Sequence, residues 1–192
     1  METNNDFRRI RAVYRIMQGK MPNHEYHNHD HAKDVFYTAS KLAKLEGISY
    51  QGRMVLATAA LLHDVVFVKG AKDNEEKSVE YAKSYLVELG YSANQIRKIT
   101  ELILATKMPT QPQDLLEKII CDADVDNLGR EDFLERGEEV RQELKIEDRS
   151  KWYQAQYKFL ASHQYYTNAA KKLRDAGVKV NMIKLEKIME EK

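Results

Sequence analysis

The chain has 192 residues, 43% hydrophobic and 9% aromatic, which suffices for one domain with a real core and at most two. Its 31 basic and 30 acidic residues leave a net charge of +1, so it advertises neither a stable nucleic-acid surface nor an anionic-membrane surface. The single cysteine, Cys121, excludes an internal disulfide and suits a reducing cytosol.

METNNDFRRIRAVY at the N-terminus has no apolar run fit for a signal peptide. The longest apolar stretch, 54–68, is too short to span a bilayer and is broken by His63-Asp64. A cytoplasmic protein is expected, with no membrane partner. With 8 glycines and 3 prolines there are few breakers, and apolar residues recur at helical spacing. The expected fold is all-α, a compact single-domain helical bundle over 1–192.

The first predicted helix covers 5–19. Before the second, 30–46, comes HEYHNHDHAKDV (24–35), which holds four of the six histidines. Such packing points to metal binding or acid–base chemistry. The zinc-protease pattern H-E-x-x-H fails, because the residue after His27 is Asn28 rather than the Glu that chemistry needs. His24 and His29 are expected to be loop or surface residues. Gly47 then stands where a helix should end.

The third predicted helix, 50–66, is apolar on every side and should be central. A buried His63-Asp64 is therefore odd, since a buried carboxylate is expensive unless paired or bound to a metal. Neighbours on a helix point about 100° apart, so the two could share a metal only near the helix end. Helices over 75–89 and 92–106 follow, separated by Gly90, with Ser92 and Gln95 forming a capping box.

After a loop bracketed by Pro109 and Pro112, a helix is predicted over 113–122, running into CDADVDNLG (121–129). A calcium loop would need Gly at its sixth position and Glu at its twelfth, where Asn127 and Phe133 stand. Helix-capping aspartates are the plainer reading. Helices over 130–144, 148–175 and 179–190 complete the chain. The aromatics of WYQAQYKFLASHQYY (152–166) could stack on a base, but more commonly such a stripe packs a helix onto the core. His163 is expected to be a satisfied partner in that packing. Met182, Leu185, Ile188 and Met189 share one face of the last helix, which should close the domain or make a homodimer contact.

The histidine cluster, the His-Asp doublet and the aspartate cluster can together form a mixed imidazole and carboxylate shell. Such a shell suits a divalent Mn, Fe, Co, Ni, Zn or Mg ion. In this order and spacing, H…HD…D on a helical chain resembles the HD-domain superfamily of metal-dependent phosphohydrolases, over about residues 20–130. The resemblance implies His31 as first metal ligand, His63 and Asp64 as the doublet, and Asp124 as the last. Asp124 is preferred to Asp122 because Ala123-Asp124 fits the family's terminal motif better. One tightly held divalent metal ion is implied.

Tyr26-His27-Asn28-His29-Asp30-His31-Ala32-Lys33-Asp34-Val35 is similar to the first signature of cyclic-nucleotide phosphodiesterases. That similarity implies a catalytic role for His27, protonating the leaving oxygen. Those enzymes carry a further histidine where this chain has Phe67, so their substrate is not carried over. Alarmone hydrolases carry a Glu-Asp pair where Phe67-Val68 stand, which argues against that activity. Asn74 and Thr106-Lys107 stand where additional metal-binding histidines would come from, which argues against di-iron chemistry of the inositol-oxygenase kind.

The implied activity is metal-dependent phosphohydrolysis of a nucleotide or other small phosphorylated metabolite through a metal-bound water. Lys107 is the favoured substrate-binding cation, with Lys69 and Arg130 as alternatives. Asp34 either orients His31 or is a plain helix-face acid. The alternative function is a non-catalytic metal- and nucleotide-binding regulatory HD module.

Overall fold

The computed structural model describes residues 4–191. In chain order these form α1 (Asn4–Lys20), α2 (His29–Leu45), α3 (Tyr50–Leu62), α4 (Asn74–Glu88) and α5 (Ala93–Ala105). There follow α6 (Leu115–Asp124), a short 3-10 helix (Asp126–Gly129), α7 (Phe133–Glu143), α8 (Arg149–Ser162) and α9 (Asn168–Glu190). No strand occurs among the described residues. The architecture is the predicted all-α bundle in one compact domain.

α3 is the axis of the bundle. Every residue from Val55 to Leu62 is buried, and α1, α2, α5 and α6 pack around it. Each large aliphatic side chain buried there contributes about 1.5–3 kcal/mol. α2 meets α3 through Ala32, Val35, Ala39, Leu42 and Ala43, whose helical spacing makes a stripe. A smaller cluster of Leu128, Phe133, Leu160 and Leu185 joins α7, α8 and α9 to the 3-10 helix. Met182 packs against it, so the apolar face of α9 closes the domain.

The predicted punctuation is present. Gly47 and Gly90 lie just past α2 and α4 with φ of +69° and +74°, the left-handed conformation that glycine adopts without steric cost. Ser92 and Gln95 form the reciprocal capping box of α5.

Three boundaries differ from expectation, and tertiary contacts explain each. The third helix stops at Leu62 rather than 66. The strap after it is pinned to the first turns of α4, where Ser78 Oγ bonds both the N–H and carbonyl of Val66 and the Asn74 amide does the same for Val68. The predicted 148–175 helix is broken between α8 and α9. Asp122 accepts the N–H groups of Tyr166 and Thr167 at 2.8 Å each, and Thr167 caps α9. Conversely, α9 runs straight through 176–178. Gly177 sits against the 3-10 helix, where a Cβ would fall 2.0 Å from the Gly129 carbonyl oxygen. That glycine is chosen for close approach, not to end a helix.

Candidate metal centre and active site

Asn28 sets the geometry of the first motif. Its side-chain oxygen accepts from the N–H of Asp30 and His31, capping α2, while its amide nitrogen donates to the carbonyls of His24 and Glu25. One residue thus fixes the turn 24–27 and the start of the helix that carries His31. His31 is buried one turn into α2 and points at the end of α3.

His63 is the residue that ends α3. Its Nδ1 lies 2.9 Å from the Ala60 carbonyl. A carbonyl only accepts, so Nδ1 carries the proton and Nε2 is turned inward as an acceptor. Because the helix stops here, the backbone turns and Asp64 can face the same point, which an unbroken helix would forbid.

Four side chains converge. His63 Nε2 lies 3.1 Å from Asp64 Oδ2, 3.3 Å from Asp124 Oδ1 and 3.3 Å from His31 Nε2. His31 Nε2 lies 3.1 Å from Asp124 Oδ1 and 3.7 Å from Asp64 Oδ2. One ligand atom from each residue can be chosen so that all four lie within 4.8 Å of one another. Adjacent donors sharing an ion at about 2.0–2.2 Å stand about 3.0–3.5 Å apart, which these separations match except that of His31 and Asp64 at 3.7 Å. With neutral imidazoles, the inward His63 Nε2 and the Asp64 and Asp124 carboxylates are acceptors crowded at one point beside His31 Nε2. That arrangement requires a cation, a proton at least. The donor set, two imidazoles and two carboxylates, therefore fits a divalent ion.

The electrostatics say the same. Burial alone would lower the pKa of His63, but Asp64 and Asp124 outweigh it and hold it well above the usual value. Burial, resisted by Asp124, lowers that of His31. Asp124 is held far below the usual carboxylate range, its burial overcome by His63 and His31.

Asp122, Asp124 and Asp126 have three separate jobs. Asp122 is fully buried and holds Tyr166 and Thr167. Asp124 joins the cluster. Asp126 accepts two hydrogen bonds from Arg174 at 2.6 and 2.8 Å. The 200° between positions two apart on a helix separates Asp122 from Asp124.

His27 lies beside this cluster, its ring centroid 5.8 Å from that of His31. Nδ1 lies 2.5 Å from Glu143 Oε1, the last residue of α7. The other carboxylate oxygen accepts the backbone N–H of both Tyr26 and His27 at 2.9 Å. Burial would raise the pKa of Glu143, but these bonds hold it down at about 2. Phe67 stacks on the His27 ring at 3.7 Å and 10°. The residue that departs from the phosphodiesterase pattern thus becomes the platform that fixes the His27 ring plane.

Other expected residues lie elsewhere. Lys107 follows α5 and is bonded to Glu76. Arg130 is taken up by Asp34, Asp132 and Asp126. Asp34 therefore pairs with Arg130, which neither of its two expected readings named. Lys69 is exposed, His29 is half-buried and 3.4 Å from Asp30, and His24 packs edge-on against Phe67. His163 differs from expectation. It packs against Tyr165, but its Nε2 is buried with no hydrogen-bond partner.

Residues 28–127 match the HD-domain family. The chain belongs to the HD-domain family. HD proteins are in general metal-dependent hydrolases, and the His31, His63, Asp64 and Asp124 cluster lies within the matched span. No match was found among curated proteins. The whole HD chain superimposes on solved structures of low sequence identity. YpgQ of Bacillus subtilis in complex with ADP is 16% identical with a TM-score of 0.74, over 98% of this chain and 97% of that one. A protein from Lactobacillus plantarum is 20% identical with a TM-score of 0.76, over 100% and 98%. A predicted HD superfamily hydrolase from an uncultured Thermotogales bacterium is 20% identical with a TM-score of 0.67, over 94% and 91%. Likeness at this identity speaks to the fold. No described helix is long and apolar enough to cross a membrane.

Proposed function

We propose that the chain is a metal-dependent phosphohydrolase that cleaves a phosphoester of a nucleotide or another small phosphorylated metabolite. The observation that carries this reading is the convergence of one ligand atom from each of His31, His63, Asp64 and Asp124 beside His27. The ADP held by the similar YpgQ fold supports a nucleotide. We read residues 1–192 as one unit, because α9 packs on the 3-10 helix directly after Asp124.

His31, His63, Asp64 and Asp124 would hold the ion. When bound, a divalent ion supplies positive charge at the phosphoryl oxygens and lowers the pKa of water. The remaining work falls to the chain. His27 has its Nδ1–H engaged by Glu143, which leaves Nε2 to carry the proton that the leaving oxygen needs. The Glu143 carboxylate anchors the ring through Nδ1, and Phe67 fixes its plane. Lys107, on releasing Glu76, would steady the phosphate.

Phe67 and Val68 stand where a water-activating acid could follow the doublet, and this favours the second reading, a regulatory module that binds metal and nucleotide without turnover. Phosphate or alcohol release from a panel of nucleotides and simple phosphoesters separates the two. The protein is stripped of metal and resupplied with Mn, Mg, Co or Ni, with Asp64→Ala in parallel. Turnover that needs metal and disappears in Asp64→Ala is expected. Metal binding without turnover on any substrate would establish the regulatory reading instead.

A further inference from the structure

A cavity of about 300 Å³ opens beside Asp124, between the α5–α6 loop and the α8–α9 loop. Its floor is the last turn of α6, where Asp124 and Val125 stand beside each other. Pro109 and Thr110 form one wall, Phe159 and Tyr166 the other. Asp124 belongs both to this cavity and to the metal cluster, so the cavity borders the cluster at that residue.

Charge decides which end of a substrate the cavity can take. No lysine or arginine lines it, its one acid is Asp124, and its one histidine, His163, has its pKa lowered by burial. Lys107 lies in a separate hollow on the other face of the Met108–Pro109 turn. A phosphate pushed into the cavity would meet no lysine or arginine. A neutral group would meet Pro109, Val125 and the rings of Phe159 and Tyr166. The volume sits at the lower end of small-ligand pockets, and aromatic rings favour a flat ligand.

The cavity is also held open by built contacts. Asp122 fixes the backbone of Tyr166 and Thr167. The Tyr166 hydroxyl then reaches across to Thr110, 2.8 Å from its side-chain oxygen and 3.1 Å from its carbonyl. One phenol thus ties the two loops together over the space.

We infer that this cavity receives the nucleobase of a nucleoside phosphate, with Tyr166 and Phe159 determining specificity while the phosphate lies at the metal centre. The inference rests on the phosphoester reading above and extends it to the uncharged end of the substrate. It also divides the aromatic stripe of 152–166. Trp152, Leu160 and Tyr165 are buried in the core, while Phe159 and Tyr166 face the cavity.

Calorimetric titration with adenosine tests it. Adenosine has no phosphate, so it reads the cavity whether or not the protein hydrolyses anything. D-ribose is the baseless control. Ser162→Trp fills the space from an exposed position whose hydroxyl bonds only its own helix, and Tyr166→Leu removes a ring while keeping bulk. Thermal melting checks that both variants fold. Saturable adenosine binding to wild type, at least tenfold weaker in both variants, with no ribose binding, is the expected result. In turnover, KM should rise more for a nucleotide than for ribose 5-phosphate in Ser162→Trp. Absent adenosine binding, or equal binding by wild type and the folded Ser162→Trp, overturns the inference and leaves the phosphohydrolase reading standing. Adenosine binding that obeys this pattern in a protein with no turnover sinks the hydrolase reading and upholds the cavity.

Discussion

Glu143 holds His27 at three points, one bond to the ring and two to the backbone of residues 26 and 27, across 116 positions of sequence. The first prediction follows from the carboxylate's depressed pKa, about 2 against an ordinary 4.5. A group held below its unfolded value stabilises the fold at pH above that value and loses the contribution as pH falls toward the folded one. Glu143→Gln should therefore lower stability above pH 4.5 relative to wild type, with the gap closing between about pH 4.5 and 2. Denaturant melts across that range measure the gap. Glu143→Ala, which strands buried N–H groups, should cost about 2–4 kcal/mol. A pH-independent difference for Glu143→Gln would count against the ionised dyad.

Metal binding should be visible as stability. Two carboxylates and two imidazoles converge at His31, His63, Asp64 and Asp124, so a divalent ion relieves the repulsion of the paired carboxylates on binding. At a hundredfold excess over Kd the ion adds about 2.7 kcal/mol, which for a chain of this size raises Tm by about 5–10 °C. EDTA should reverse the rise. Asp64→Asn and Asp124→Asn keep the shape of the site but remove a charge each, and both should abolish the shift. A shift that survives in both variants would mean that the ion sits elsewhere.

Some of this could be read from the chain alone, and the reasons are physical. His31, His63, Asp64 and Asp124 are rare residue types at telling spacings, so a linear pattern names them. Gly47, Gly90 and Ser92 act within their own turns and are equally plain. Glu143 was not legible. It ends a helix crowded with surface acids, and only its distant partner distinguishes it from Glu138 or Glu139. Phe67 looked like a simple departure from a pattern until its stacking on His27 gave it a task. The break at 163–167 is written in Asp122, more than forty residues earlier, where no local propensity records it.

Asp122 and Asp124 offer a clean contrast. Asp122 accepts from two backbone N–H groups and the Thr167 hydroxyl, all at 2.7–2.8 Å. Asp122→Ala leaves those donors buried and should destabilise the protein by about 2–4 kcal/mol. Ion stoichiometry by calorimetry at low temperature should stay at one per chain. Asp124→Asn should reverse the pattern, with a small stability loss and no bound ion. If Asp122→Ala loses the ion while folded, the assignment of the final ligand to Asp124 is wrong.

Lys107 is bonded to Glu76 and lies outside the cavity beside Asp124, so its part in substrate binding requires it to change partner. Lys107→Ala should leave stability within about 0.5 kcal/mol of wild type, as exposed ion pairs contribute little. Its effect should appear in KM, a rise of about three- to tenfold with kcat preserved, the mark of a contact made equally to substrate and transition state. Glu76→Gln frees the same lysine and should lower KM. The two variants moving KM in opposite directions is the discriminating result, because a lysine serving only as a surface partner of Glu76 would leave KM unchanged in both.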